Sequence, residues 1–176
     1  MLESNKTHKL PPKLNSQDTI GIIAPASAAD KKATEAGLNY LKQKGYKVKV
    51  APNLNKEVNY LAGDDQERTK LLTDFILDED IDALICVRGG YGMMRIIDKL
   101  DYKALSQIQP KIIMGYSDIT VLQFALLEKL GWISYSGPMV ASDMGDNFSS
   151  YSEKWMWRVL QNPAGKLELK NPANRA

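Results

Sequence analysis

The sequence predicts an α/β fold built on a doubly wound, mostly parallel sheet. The first observation is that short apolar runs rich in β-branched residues alternate along the chain with segments of helical periodicity. The second is that most of these runs are apolar throughout, as expected for strands buried on both faces of a sheet. Right-handed crossovers between parallel strands place helices on both faces. We therefore expect a flavodoxin-like order of strands, with helices on both faces.

The first half of the chain supplies two strands and two helices of this pattern. Residues 19–25 form an apolar run closed by proline, and residues 46–50 alternate between polar and apolar as a second strand would. Between them, a helical pattern follows small and capping residues and ends at Gly45. Asp64, with Glu67 three residues later, is a capping-box pattern, and the apolar stripe after it predicts the second helix.

The second half continues the alternation. A third buried strand at 83–87 runs directly into the glycine-rich turn 88–92. The remaining predicted elements are a helix at 93–100, a strand at 111–114, a helix at 119–130, a strand at 132–135, a helix begun by Ser150 with Glu153 and ended at Leu160, and a strand at 166–170.

These elements divide the chain into three regions. Residues 1–17 are mostly polar and include a Pro-Pro pair, which predicts a flexible N-terminal arm. Residues 18–163 form the α/β domain. Residues 164–176 are interpreted as the start of a linker to a C-terminal domain that is missing from this chain.

Composition excludes several classes of function. The 23 basic and 21 acidic side chains are mixed along the sequence, so no basic block supports binding to nucleic acid. Cys86 is the only cysteine, which rules out an internal disulfide and offers no metal-ligand spacing, and we expect no metal and no cofactor. No apolar stretch approaches the ~20 residues of a membrane span, and the start lacks the apolar core of a signal peptide. A soluble, cytoplasmic protein is the expectation.

The turn 88–92, Arg-Gly-Gly-Tyr-Gly, is the first candidate functional segment, because ligands of doubly wound sheets bind at the carboxyl ends of the strands. Three glycines in four positions allow backbone N–H groups to converge on one point. The turn is equally explained as a tight turn that needs positive φ angles. Arg88 is either an anion ligand or a partner in a surface ion pair.

The second candidate segment is 115–119, Gly-Tyr-Ser-Asp-Ile, between a buried strand and a helix. It resembles a nucleophile elbow with Ser117 at its apex, although Ile119 stands where the second glycine of that motif would be. By itself Ser117 is explained more simply as an N-cap, with Asp118 in the first turn of the helix. A serine elbow also needs a second oxyanion donor from a neighbouring loop, and Gly90 is well placed to supply it.

Four segments in register resemble one family, the LD-carboxypeptidases and the related microcin-immunity peptidases. They are 22–27 (Ile-Ile-Ala-Pro-Ala-Ser), 87–92 (Val-Arg-Gly-Gly-Tyr-Gly), 115–118 (Gly-Tyr-Ser-Asp) and 135–139 (Tyr-Ser-Gly-Pro-Met). The resemblance covers essentially the whole chain. It implies a serine peptidase that cleaves an amide bond between an L- and a D-residue, as in the tetrapeptide stem of recycled murein.

The resemblance also implies roles for individual residues. Ser117 would be the nucleophile, and the N–H groups of Asp118 and Gly90 would form the oxyanion hole. Arg88 and Tyr91 are expected to contact the small peptide substrate. Family members complete a Ser-Glu-His triad with a glutamate and a histidine from a second domain, and are often dimers, so we expect a homodimer for the full-length protein.

His8, the single histidine, lies in the predicted arm, far from Ser117 in chain order. A serine hydroxyl is a poor nucleophile without an adjacent base, so we expect this chain alone to be inactive. If a second domain normally covers the strand ends, an apolar patch should be exposed around Tyr91, Tyr116 and Met139. Two alternatives remain: an immunity peptidase that acts on a peptidyl-nucleotide antibiotic, and a non-enzymatic flavodoxin-like module that binds an anion.

Overall fold

The computed structural model describes residues 7–145 and 148–168 of the protein. In this part of the chain five strands form one all-parallel sheet in the order β2-β1-β3-β4-β5, which confirms the predicted doubly wound arrangement. The strands are β1 (Thr19–Ile23), β2 (Lys47–Val50), β3 (Ala83–Cys86), β4 (Ile112–Gly115) and β5 (Tyr135–Ser136). Every residue of β3 and β4 is buried, as expected for central strands covered on both faces.

The helices within the described ranges are α1 (Lys31–Gln43), α2 (Asp65–Leu77), α3 (Tyr102–Leu105), α4 (Thr120–Leu130) and α5 (Ser150–Gln161). The predicted cap of α2 is present, because the Asp64 carboxylate accepts a hydrogen bond from the Glu67 N–H at 2.8 Å. The cap predicted for α5, formed by Ser150 with Glu153, is absent. The N-cap of α5 is Ser149, without a side-chain bond, and Glu153 instead pairs with Lys44 of α1 at 2.6 Å.

The helix predicted over 93–100 is replaced by two 3₁₀ turns, Met93–Arg95 and Ile97–Lys99, before the short α3. Ile96 between them has φ −122° and ψ −11°, which interrupts the helical backbone. Both Met93 and Ile96 are fully buried, so this irregular path places two apolar side chains in the core. The helical pattern in the sequence arose from burial and not from a continuous helix.

The fifth strand is shifted from the predicted 132–135, because Trp132 forms an isolated parallel bridge with Lys9 instead. The Lys9 N–H donates to the Gly131 carbonyl at 2.7 Å, and the Ile133 N–H donates to the Lys9 carbonyl at 2.9 Å. Leu14 is buried, and its N–H donates to Leu160 of α5. Lys9 and Leu14 are therefore hydrogen-bonded to the domain in this structure, and Pro11 and Leu14 are the buried residues of 7–17. Residues 1–6 of the predicted flexible arm lie outside the described residues, and the arm stays a prediction. Of the strand predicted at 166–170, residues 166–168 are irregular, and the rest lies outside the described residues.

The strand order fixes where a site can form. From β1 the chain crosses to β2 on one side, whereas from β3 it continues to β4 and β5 on the other, so the switch point lies between β1 and β3. Crevices for ligands open at the carboxyl ends of the strands at such a point. The loops that follow β1, β3 and β4 all reach this edge, and they carry the segments singled out by the sequence.

Candidate active site

Ser117 lies two residues after the end of β4 and has a φ of +62°, one of three positive values among the non-glycine residues that the structure describes. It begins a 3₁₀ turn, Ser117–Ile119, that leads into α4. The N-cap of this turn is Tyr116, and neither the turn nor α4 has a side-chain cap bond, so Ser117 does not act as a cap here. An L-residue in a left-handed conformation costs about 1–2 kcal/mol. Such strain is typical of functional segments and matches the geometry of a nucleophile elbow.

Ile119 stands at the position of the second glycine of the elbow motif, and Gly115, the first glycine of the motif, leaves room for its side chain. A Cβ on Gly115 would lie 2.9 Å from Ile119 Cγ2, closer than real side chains approach. The fully buried Ile119 therefore packs directly onto the Gly115 backbone. The departure from the usual elbow pattern changes the packing below the turn while the serine keeps its strained backbone.

The glycine-rich turn after β3 lies against this elbow. A Cβ on Gly89 would come within 3.1 Å of Ser117 Cβ and 3.3 Å of the Asp118 nitrogen, so glycine permits the close approach of the two loops. The next residue, Gly90, has a φ of +104°. Asp118 is the second residue of its turn, where an N–H group has no intrahelical acceptor. The structure thus places Gly89 against Ser117 and Asp118, and Gly90, the second residue proposed for the oxyanion hole, is the next residue in the chain.

Two further side chains hold the glycine turn, and no local pattern in the sequence indicates either role. The Asp118 carboxylate accepts a hydrogen bond from the Met93 N–H at 2.9 Å. The guanidinium of Arg68, a side chain of α2 with 0% exposure, donates to the carbonyls of Gly92 at 3.1 Å and Pro25 at 2.7 Å. Arg68 therefore ties the loop after β1 to the loop after β3.

Asp65 balances the charge of Arg68 within the same helix. Its carboxylate lies 2.6 Å from the Arg68 guanidinium and accepts two hydrogen bonds from Arg95, each of 2.9 Å. The Arg95 guanidinium and then Arg68 lower the pKa of Asp65 from 3.8 to about 2. Arg68 lies on the same face of α2 as the buried Leu72 and Phe75, but only the long-range carbonyl acceptors explain how a charged side chain is buried there.

Arg88 and Tyr91 lie at the mouth of the site. The Arg88 guanidinium donates to the Ala28 carbonyl at 3.1 Å, and its side chain is exposed. The Tyr91 side chain is 49% exposed and packs edge-on against Tyr60 at 5.8 Å between ring centroids. Both side chains are therefore open to solvent beside the glycine turn.

The expected apolar patch is only partly present. Tyr91 and Tyr116 are exposed, but Met139 is buried in the core, so the prediction was wrong for Met139. The Met139 N–H donates to the Asp143 carboxylate at 2.8 Å, and that carboxylate also accepts from the Tyr116 hydroxyl at 3.3 Å. This turn folds residues 139–143 under the tyrosine and buries the methionine.

His8 lies at the wrong end of α4 to serve Ser117. A Cβ on Gly131 would lie 3.9 Å from the His8 Cα, and Gly131 ends the helix that begins directly after the elbow. The 11 residues of α4 span about 16 Å at 1.5 Å per residue. The imidazole of His8 is therefore separated from the elbow by the length of this helix.

Other chemistries find little support in residues 7–145 and 148–168. No group of three or more His, Cys, Asp or Glu side chains in these ranges could hold a metal ion. Cys86 is buried in β3, and burial raises the pKa of its thiol to about 12, which keeps it protonated. None of the helices described is both long and apolar enough to cross a membrane.

In this structure a parallel α/β sheet presents a serine with a positive φ between a strand and a helix, beside a glycine turn, which is the local geometry of a nucleophile elbow. Residues 20–137 match the family model described as the LD-carboxypeptidase N-terminal domain. The chain belongs to this family, which confirms the resemblance drawn from its four motifs.

Curated relatives carry two kinds of name. The chain is 39% identical over 135 residues to a probable murein peptide carboxypeptidase of Bacillus subtilis, covering 77% of this chain and 42% of that protein. It is 34% identical to the murein tetrapeptide carboxypeptidase of Pseudomonas aeruginosa, covering 72% and 40%. It is 32% identical to the microcin C7 self-immunity protein MccF of Escherichia coli, covering 74% and 38%. The chain thus spans about two fifths of the length of these relatives.

Solved structures give the same picture. The MccF apo structure superposes with a TM-score of 0.81 at 27% identity, covering 86% of this chain and 47% of that one. The muramoyltetrapeptide carboxypeptidase of Oxalobacter formigenes superposes with a TM-score of 0.71 at 31% identity, covering 78% and 46%. The fold and its family are therefore established from both sequence and structure.

Proposed function

We propose that this chain is the nucleophile-bearing part of a serine-type LD-carboxypeptidase-like enzyme. The observation that carries the proposal is the positive φ of Ser117, two residues after β4, with the glycine turn packed against it. Residues 18–163 would form this part, and residues 164–176 would lead to a C-terminal domain. The names of the curated relatives support the carboxypeptidase activity.

In the proposed reaction, the Ser117 hydroxyl oxygen attacks the scissile carbonyl carbon and forms a new C–O bond. The carbonyl π electrons move to its oxygen, while a base removes the hydroxyl proton. The N–H groups of Asp118 and Gly90 would stabilise the oxyanion, and one such donor is typically worth ~3–4 kcal/mol of transition-state stabilisation. The C–N bond then breaks, the amine of the leaving residue takes the proton, and water releases the acyl group from Ser117.

The base would be a histidine oriented by a glutamate, both from outside these 176 residues. His8 is the only histidine of the chain, and α4 separates it from the elbow. Without that base, the Ser117 hydroxyl would be a poor nucleophile. We therefore propose that the chain is inactive alone and needs no metal or cofactor in the full-length protein.

The proposed substrate is a murein tetrapeptide with an amide bond between an L- and a D-residue, encountered in the cytoplasm during peptidoglycan recycling. Arg88 and Tyr91 would contact the peptide at the mouth of the site, with the Arg88 guanidinium available to a carboxylate. The full-length protein would be a homodimer without nucleic-acid or membrane partners.

The alternative substrate is a peptidyl-nucleotide antibiotic. It is favoured by the structural similarity to MccF, whose structure in complex with aspartyl sulfamoyl adenosine superposes on this chain with a TM-score of 0.81. One MccF structure is of an active-site variant in which a serine, an asparagine and a lysine are replaced by alanine, and that active-site serine supports a serine mechanism here as well. A non-enzymatic module in which the glycine turn holds an anion is the remaining alternative. It predicts that inorganic phosphate raises the thermal unfolding temperature of the chain.

The test is hydrolysis of an L,D-tetrapeptide by the 176-residue chain and by the full-length protein that contains it. We expect turnover only by the longer protein, and loss of that turnover in its Ser117→Ala variant. Ser106→Ala is the matched control, because Ser106 is an exposed serine after α3 whose hydroxyl bonds only locally. Robust turnover by the short chain would refute its inactivity, and an unaffected Ser117→Ala variant would refute the nucleophile. Running the same proteins on a peptidyl adenylate analogue decides between the two substrates.

A further inference from the structure

Ser27, in the loop after β1, makes three hydrogen bonds to the glycine turn, and the longest is donated by its hydroxyl to the Tyr91 carbonyl at 3.5 Å. The proposed reaction assigns no role to any of them. The Ser27 N–H donates to the Gly89 carbonyl at 3.2 Å, and its hydroxyl oxygen accepts from the Tyr91 N–H at 3.0 Å. The side chain is 7% exposed, so water competes little for these bonds. Sixty-two residues separate Ser27 from Gly89, and the contact exists only because β1 and β3 are neighbours in the sheet.

The bond to Gly89 bears directly on the proposed oxyanion donor. The Gly89 carbonyl and the Gly90 N–H belong to the same peptide unit, which is planar and trans, as are all peptide bonds of the described chain. In a trans unit the C=O and N–H vectors are antiparallel. Because the Ser27 N–H holds the carbonyl, it turns the Gly90 N–H in the opposite direction, away from the Ser27 backbone.

The hydroxyl of Ser27 fixes the following peptide unit. By accepting from the Tyr91 N–H it holds the unit that joins Gly90 to Tyr91, so both units that flank the Gly90 Cα are held by one residue. The fit is close, because a Cβ on Gly90 would lie 2.3 Å from the Ser27 hydroxyl oxygen. Gly90 therefore has its φ of +104° in contact with the side chain that clamps it.

We propose that Ser27 is a positioning residue that aims the Gly90 N–H at the oxyanion. The inference rests on the proposed function and adds to it a residue outside the nucleophile, the oxyanion donors and the missing base. Removing the hydroxyl keeps the bond from the Ser27 N–H to the Gly89 carbonyl but releases the peptide unit that joins Gly90 to Tyr91, so the Gly90 N–H is no longer held from both sides and can shift. Deleting an oxyanion donor typically reduces kcat about 10²–10³-fold. Displacing a donor should reduce kcat less than deleting it, so we expect Ser27→Ala to lower kcat by about tenfold to a hundredfold.

The experiment compares Ser27→Ala with Thr34→Ala in the full-length protein that contains this chain. Thr34 is the matched control, since it is a buried hydroxyl further along the same connection, and its oxygen donates only to the Asp30 carbonyl at 2.7 Å. We expect Ser27→Ala to lower kcat by about tenfold to a hundredfold with KM within about twofold, because the oxyanion forms only in the transition state. Its affinity for a peptide aldehyde, whose adduct with Ser117 places an oxygen in the same hole, should fall by a similar factor. Thr34→Ala should change neither value.

A Ser27→Ala variant with unchanged kcat would overturn the inference, as would one in which only KM rises. If that variant does not fold, Ser27→Cys provides the second test, because a thiol is a weaker acceptor in the same place. An intermediate kcat supports the positioning role, and a wild-type kcat overturns it. Ser117→Ala is measured beside them: activity retained there overturns the proposed function and this inference together, whereas its loss with normal Ser27→Ala kinetics overturns the inference alone.

Discussion

Replacing Arg68 by methionine tests how much the buried Arg68 guanidinium contributes to the stability of the domain. Methionine keeps much of the side-chain volume but donates no hydrogen bonds, so the carbonyls of Pro25 and Gly92 lose their donor. A buried polar group left without a partner costs about 1–3 kcal/mol, which gives about 2–6 kcal/mol for the pair. Asp65 adds little, because it keeps its two bonds to Arg95. We expect a loss of about 2–6 kcal/mol, a large part of the 5–15 kcal/mol typical of a domain.

The assay is equilibrium unfolding of the chain in urea, with Arg95→Met as the matched control. Arg95→Met removes the same charge from the same partner, Asp65, but the Arg95 side chain is 48% exposed. An exposed ion pair contributes about 0–1 kcal/mol, so the control should lose no more than that. If Arg68→Met lost no more stability than Arg95→Met, the carbonyl bonds of Arg68 would not hold the loops as described.

Two further predictions concern stability. Gly37→Ala should lower the unfolding temperature, because the new Cβ would lie 2.2 Å from the Val140 carbonyl oxygen, against which α1 packs. Helix propensity alone predicts the opposite, since alanine is the better helix former by about 1 kcal/mol. A higher unfolding temperature in a thermal melt would contradict this packing. The pKa of Asp65 is lowered from 3.8 to about 2, so its contribution is present above pH 3.8 and is lost as the pH falls from there towards 2. Urea titrations across that window should show a smaller slope of stability with pH in Asp65→Asn than in the parent chain, and identical slopes would refute the pairing.

The fold was accessible from the sequence because its determinants are local. The buried strand β3 (Ala83–Cys86), the cap of Asp64 on α2 and the end of α1 near Gly45 each depend on residues close in the chain. The order of the strands then followed from general rules of handedness and connection. The same reasoning failed at 93–100, where the path of the chain is decided by burial of Met93 and Ile96 and by a bond from Met93 to Asp118.

The residues of the site likewise fall into those that local patterns predict and those that long-range contacts determine. Ser117 and Gly90 could be selected because elbows and glycine turns have local patterns and known places at strand ends. The roles of Ser27 and Arg68 could not, since each depends on acceptors or donors 24 to 64 residues away that meet only in the folded sheet. A serine near proline and an arginine on a helix have many ordinary explanations in sequence. Their function is visible only when the carbonyls and N–H groups of the glycine turn are placed beside them.

The backbone of Ser117 gives a test that separates an elbow from an ordinary helix start without any substrate. Both Ser117→Gly and Ser117→Ala remove the hydroxyl, so they differ only in the side chain's tolerance of the φ of +62°. Glycine adopts positive φ freely, so Ser117→Gly should be more stable than Ser117→Ala by about 1 kcal/mol in urea unfolding. The control pair at Ser106, whose φ is −67°, should show the reverse order, because alanine is favoured in right-handed helical backbone. If glycine were the less stable replacement at both positions, Ser117 would lack the strain on which its assignment as a nucleophile rests.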